Sequence, residues 1–124
     1  MNVDIKQVLA DHKAWLADDN NGKRANLRCA DLRGADLYCA DLQGADIDYS
    51  CWPIHCGSLL PRIDRRLASQ LLYHAMRAMQ SCADEPDVAA VLESEPCLCL
   101  ANQFHRVSEC GKIVPPKKGG ASCM

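Results

Sequence analysis

Ala25-Asn26-Leu27-Arg28-Cys29, Ala30-Asp31-Leu32-Arg33-Gly34, Ala35-Asp36-Leu37-Tyr38-Cys39, Ala40-Asp41-Leu42-Gln43-Gly44 and Ala45-Asp46-Ile47-Asp48-Tyr49 write one pattern five times in succession. A period of five suits neither the 3.6-residue turn of a helix nor the alternation of a flat strand. It requires a backbone that turns a corner in each repeat, with the central Leu or Ile and the Ala two places before it both pointing inward. Ala suits the second inward place because it is small, and the Asp or Asn between them bonds nearby backbone at the corner. The fourth places vary, and Arg28, Arg33, Tyr38, Gln43 and Asp48 are the residues expected to meet a partner.

This A(D/N)LXX pattern over Ala25 to Tyr49 resembles the pentapeptide-repeat family. The resemblance implies a right-handed quadrilateral β-helix with four pentapeptides per coil, so five repeats make little more than one coil. Such a coil is too short to stand alone. On a four-sided coil Cys29 and Cys39, which alternate with Gly34 and Gly44 at the fifth place, fall on opposite faces, and small-residue packing is their expected role. The lead-in from Leu16 to Leu27 also resembles the start of small pentapeptide-repeat proteins of bacteriophages and prophages. Similarity to such proteins extends to Cys51-Trp52-Pro53, Cys56-Gly57-Ser58, Gln70-Leu71-Leu72-Tyr73-His74, Ala101-Asn102-Gln103-Phe104-His105-Arg106-Val107 and Glu109-Cys110-Gly111-Lys112. It implies an architecture and no activity.

Outward from the repeat, Ile5, Val8, Leu9, His12, Trp15 and Leu16 recur at helical spacing, predicting an amphipathic helix from Asn2 to about Ala17. Asp18-Asp19-Asn20-Asn21-Gly22 ends it, and His12 reads as a histidine at the edge of a core. Beyond the repeat the period is lost at Ser50, and residues 50–61 read as an irregular junction. Ile63, Leu67, Leu71, Ala75 and Met79, with Leu72 and Ala78 beside them, predict a helix from about Arg62 to Gln80. A shorter one follows from Pro86 to Glu93, Glu95-Pro96 breaks the chain, and Leu98, Ala101, Phe104 and His105 suggest a last helix ending near Val107. Lys112 to Met124, with Pro115-Pro116-Lys117-Lys118-Gly119-Gly120, has the composition of a mobile linker. The fold class expected is mixed α and β. A single domain over residues 1–111 would comprise an amino-terminal helix (1–18), the coil (25–49), the junction (50–61) and a helical subdomain (62–111), followed by a tail (112–124).

With 124 residues, 48% of them hydrophobic and 24% charged, the chain has the composition of one globular domain. A net charge of −2 offers no whole-chain attraction for nucleic acid or an anionic membrane. The amino terminus lacks the apolar run of a signal peptide, and no apolar run reaches transmembrane length. The expected location is the cytoplasm of a bacterial host, where cysteines stay reduced. The nine cysteines are an odd number, so metal binding or simple burial is expected of them.

Cys51 and Cys56, with His105 and Cys110, form two local pairs of soft ligands that suit a tetrahedral zinc site clasping the junction to the last helix. Against it stands the burial of cysteine as a small hydrophobe. An enzyme would use Cys56 or Cys110 as nucleophile with His55, His74 or His105 as base, yet no oxyanion element, phosphate loop or metalloenzyme motif accompanies them. Arg62, Arg65, Arg66 and Arg77, with Lys112, Lys117 and Lys118, offer a basic set that a solvated helix face explains better than nucleic-acid binding does. The repeat itself carries a net charge of −3, over too short a rod to imitate a duplex. The reading is therefore a non-catalytic protein-interaction module, an accessory protein of a phage or prophage with an unidentified protein partner, and a coil end left open would favour a homodimer. The alternative is a protein that sequesters a small molecule or nucleotide in a pocket lined by Trp52, Tyr73, His74, Arg77 and His105.

Overall fold

The computed structural model describes residues 4–56 and 59–116. The chain forms two compact units, Met1–Leu67 and Ala68–Met124. Helix α1 spans Ile5–Ala17, and Asp4 caps it by accepting the Gln7 amide at 3.2 Å.

In the repeat, the central residues Leu27, Leu32, Leu37, Leu42 and Ile47 are all at most 4% exposed, as are Ala25, Ala30 and Ala45. Ala35 and Ala40 are half-buried. Each corner has the same construction. The carbonyl of the central residue accepts the amide three places on, in the pairs Leu27–Ala30, Leu32–Ala35, Leu37–Ala40, Leu42–Ala45 and Ile47–Ser50. The fifth residue adopts left-handed backbone in every case, at Cys29, Gly34, Cys39, Gly44 and Tyr49 with φ of 59, 74, 58, 79 and 62°. The fourth residue keeps negative φ, which makes each corner a type II turn. The Asn or Asp at the second place accepts the amide two residues on, at 3.1 to 3.2 Å, from Asn26 through Asp46.

Regular β structure is sparse, consisting of isolated parallel bridges from Asn26 to Asp46, Asp31 to Cys51 and Asp41 to Arg62. The first two offsets are 20 residues, four pentapeptides, and the third is 21. Pairing therefore continues past the recognisable repeats, through the stretch expected to be an irregular junction, and one extra residue is absorbed before Arg62. At Ala35, 20 residues before His55, the partner is a side chain: His55 donates from Nε2 to the Ala35 carbonyl at 2.9 Å.

Helix α1 lies against this layer. His12 is fully buried, donating from Nε2 to the Gln43 carbonyl at 2.7 Å and accepting the Ala25 amide at Nδ1 at 3.0 Å. Trp15 stacks on the imidazole with ring centroids 5.4 Å apart.

Helix α2 spans Arg65–Met79, α3 Pro86–Glu93, α4 Glu95–Ala101 and α5 Val107–Cys110, with a short 3-10 turn at Gln80–Cys82. The buried residues of α2 are Leu67, Ser69, Gln70, Tyr73 and Met76, whereas Ala75 of the expected stripe is exposed. A strict four-residue row advances about 40° per step around a 3.6-residue helix, so it drifts off the inward face. Glu95-Pro96 starts a helix instead of breaking the chain. Ser94 caps α4 by accepting the Cys97 amide, and proline is at home in a first turn. The expected last helix is therefore two, with turns at 102–106 between them.

The core of the second unit is Tyr73, Met76, Leu92, Ala101, Phe104 and Ile113. Ile113, within the stretch expected to be a mobile linker, is 2% exposed. Asn102 anchors it by donating to its carbonyl at 2.9 Å and accepting its amide at 2.8 Å, a two-bond pairing like that between strands. The rest of the expected tail, residues 117–124, lies outside the described residues.

Candidate functional site

The fourth-place residues do not form a uniform outward row. Tyr38 is 58% exposed and the Arg33 side chain 79%, Gln43 is half-buried, and Asp48 is buried at 4%. Arg28 lies 3.4 Å from the Asp48 carboxylate and 3.7 Å from that of Asp46, with its guanidinium over the Tyr49 ring. Asp48 therefore belongs to an internal ion pair and not to a contact surface. Arg33 forms a two-pronged pair with Asp31, at 2.9 and 2.7 Å. These side-chain bonds, with the Arg33 amide donating to the same carboxylate, pull the Asp31 carboxyl down to about 2.

The outer surface gains apolar side chains that the repeat pattern does not announce. Tyr49 is 62% exposed, Ile54 91%, Leu59 56% and Leu60 67%. Leu59 and Leu60 follow Tyr38 and Cys39 by 21 residues, the offset at which Arg62 pairs with Asp41. Leu60 also repeats the left-handed backbone of Cys39, with φ of 61° against 58°. The signal in the sequence was this offset, hidden by the extra residue.

The cysteines are not packed as expected. Cys29, Cys39, Cys51, Cys56, Cys99 and Cys110 are exposed and Cys82 and Cys97 half-buried, all of them free thiols. Cys29 and Cys39 occupy corners whose left-handed backbone turns the fifth side chain outward. Of the expected zinc ligands, Cys51 and Cys56 lie in the first unit and His105 and Cys110 in the second. Among the described residues no three His, Cys, Asp or Glu side chains gather so as to hold a metal ion.

Of the expected pocket residues, Trp52 lies in the first unit, and Tyr73, His74, Arg77 and His105 lie in the second. Tyr73 is buried against Phe104, with centroids 4.8 Å apart, and its hydroxyl donates to the Gly111 carbonyl at 2.6 Å. Arg77 donates to the Tyr73 hydroxyl, the Gln80 side chain and the Cys110 and Gly111 carbonyls. These two polar groups therefore secure the chain after α5. His74 and His105 are exposed, each edge-on to Phe104, and His74 also contacts the Gln70 carbonyl through Nδ1.

No described helix is long and apolar enough to cross a membrane. No curated protein and no solved structure matches the chain. Residues 23–48 match the family described as Pentapeptide repeats (8 copies), in the same stretch where the corner turns and inward leucines recur. That stretch of the chain belongs to the pentapeptide-repeat family.

Proposed function

We propose that the protein is a non-catalytic interaction module, an accessory protein of a phage or prophage acting in the cytoplasm of a bacterial host. In this reading the repeat is the opening of a right-handed quadrilateral β-helix, helix α1 is its support, and its outer face receives a protein partner. The observation that carries the reading is the exposure of Tyr38, Ile54, Leu59 and Leu60 on and just beyond the repeat. Large apolar side chains left in water cost hydration free energy, and several exposed within residues 38–60 support a surface that another protein covers. Arg33 and Gln43 are the polar fourth-place residues on either side of Tyr38 in the sequence. The sequestering alternative draws no support from Tyr73 and Arg77, whose polar atoms are bonded within their own unit.

The test places a photo-crosslinking side chain at position 38 and identifies discrete adducts formed in a phage-infected bacterial lysate. A single adduct, competed by unlabelled protein and lost in an Arg33→Glu, Tyr38→Ser, Gln43→Glu variant with an unchanged circular dichroism spectrum, supports the reading. Full capture by that variant rejects it. An adduct of twice the chain mass identifies a second copy as the occupant.

A further inference from the structure

Helix α1 and the repeat leave a recess of about 390 Å³ between them, lined by seven residues of the first unit. That volume falls in the lower part of the range for small-ligand sites, roughly 300–1,000 Å³. Leu9 and Ala10 of α1 and Ala40 of the repeat supply apolar wall, and Lys13, Asp41 and Arg62 supply charge. The two cations outnumber the single carboxylate. Asp41 is in part occupied, since its Oδ1 accepts the Gln43 amide at 3.1 Å. Lys13 and Arg62 form no ion pair and no side-chain hydrogen bond with any described residue. The Arg62 backbone is fixed by its bridge to Asp41, so its side chain leaves from a rigid point.

An apolar wall beside two unpaired donors, one of them a planar fork that matches a carboxylate, has a definite complement. We propose that this recess binds a small aliphatic monocarboxylate. Arg62 and Lys13 hold the carboxylate, and the alkyl chain lies on Leu9, Ala10 and Ala40. Inorganic phosphate would satisfy the cations and leave the apolar wall wet. An alkylamine would place a third positive charge between two others.

The test records ¹H–¹⁵N spectra of the full chain titrated with butanoate, hexanoate, butylamine and inorganic phosphate at matched ionic strength. The expected result is saturable shifts of the Leu9, Ala10 and Ala40 amides with the carboxylates, tightening about two- to fourfold per added methylene. Lys13→Gln and Arg62→Gln replace exposed side chains, and each is expected to weaken hexanoate about tenfold in a spectrum that otherwise shows the native fold. Alkylation of Cys39, which also lines the recess, is expected to slow in hexanoate. Equal shifts with phosphate and hexanoate, tighter binding of butylamine, non-saturating shifts, or a folded Lys13→Gln variant with unchanged affinity would each overturn the proposal.

Discussion

Asp64 reaches back to Gly44, whose amide donates to Oδ2 at 2.5 Å, while Oδ1 accepts the Leu67 amide at 2.9 Å. One carboxylate thus ties down the Gly44 corner, the fourth of the repeat, and caps the first turn of α2. Asp64→Asn keeps only one accepting oxygen and is expected to lose about 1 kcal/mol of stability, and Asp64→Ala about 2–3 kcal/mol. Urea unfolding of the two variants checks the order.

Three glycines separate backbone strain from steric clash. A Cβ on Gly34 would meet nothing within 4 Å, so Gly34→Ala carries only the left-handed backbone penalty, about 1 kcal/mol. On Gly44 it would meet the Trp15 ring at 3.2 Å, adding a displaced side chain to the same penalty. On Gly22 it would lie 2.5 Å from the Asp11 carbonyl and 2.7 Å from the Trp15 nitrogen, backbone atoms that cannot yield unless α1 moves. The expected order of destabilisation is Gly34→Ala, then Gly44→Ala, then Gly22→Ala at about 3 kcal/mol or more. Cys29→Gly and Cys39→Gly, relieving the same strain, are expected to cost nothing. Thermal unfolding midpoints of the five variants provide the comparison.

His12 is wired as a neutral imidazole, because a backbone amide must donate to Nδ1 and a backbone carbonyl must accept from Nε2. Its ¹⁵N spectrum at neutral pH is expected to show the Nε2–H tautomer. His12→Ala strands the Ala25 amide and the Gln43 carbonyl and removes the surface on which Trp15 stacks, for an expected loss of about 2–4 kcal/mol. A ring with both nitrogens protonated, or a variant of native stability, would contradict this arrangement.

Acid should act on the repeat through Asp31. Arg33 side-chain bonds hold its carboxyl at about 2 in the folded chain, against an ordinary value of 3.8. Because the folded value is the lower, the stabilisation is complete above the unfolded value and is lost as pH falls from about 4 towards 2. The pair is exposed, so salt should weaken it. In a carboxyl NMR titration, Arg33→Gln is expected to return Asp31 towards the ordinary range.

The Asn102 side chain makes with Ile113 the two bonds that a neighbouring strand would make. Asn102→Asp keeps the acceptor and loses the donor, whereas Asn102→Ala loses both. Hydrogen exchange at the Ile113 amide is expected to quicken modestly in the first and strongly in the second, with about 1–3 kcal/mol lost from the second unit in Asn102→Ala.

The period of five made the repeat legible because every inward place obeys one local rule: a leucine or isoleucine buried, an alanine two before it, and an aspartate or asparagine bonding its own corner. Helix α1 was legible for a related reason, since its amphipathic spacing is also local, and the start of α3 was marked by Pro86, at home in a first turn. The continuation to Arg62 was not, because one added residue breaks a periodic reading while leaving the backbone free to pair. Nor was the inward face of α2, where a four-residue row suggested one side and the 3.6-residue turn selected another.

Sequence by itself determined the turning backbone, its buried leucines and the helix-forming segments, because those depend on side chains within a few residues of one another. Tertiary structure alone decided what His12, Asp64 and Asn102 do, since each bonds backbone 11 to 31 residues away. It also decided that Asp48 is buried, that cysteines at the corners face outward, and that two cations meet an apolar wall beside α1. Such outcomes depend on which backbone returns to which place, and that is set when the whole coil closes and α1 packs against it.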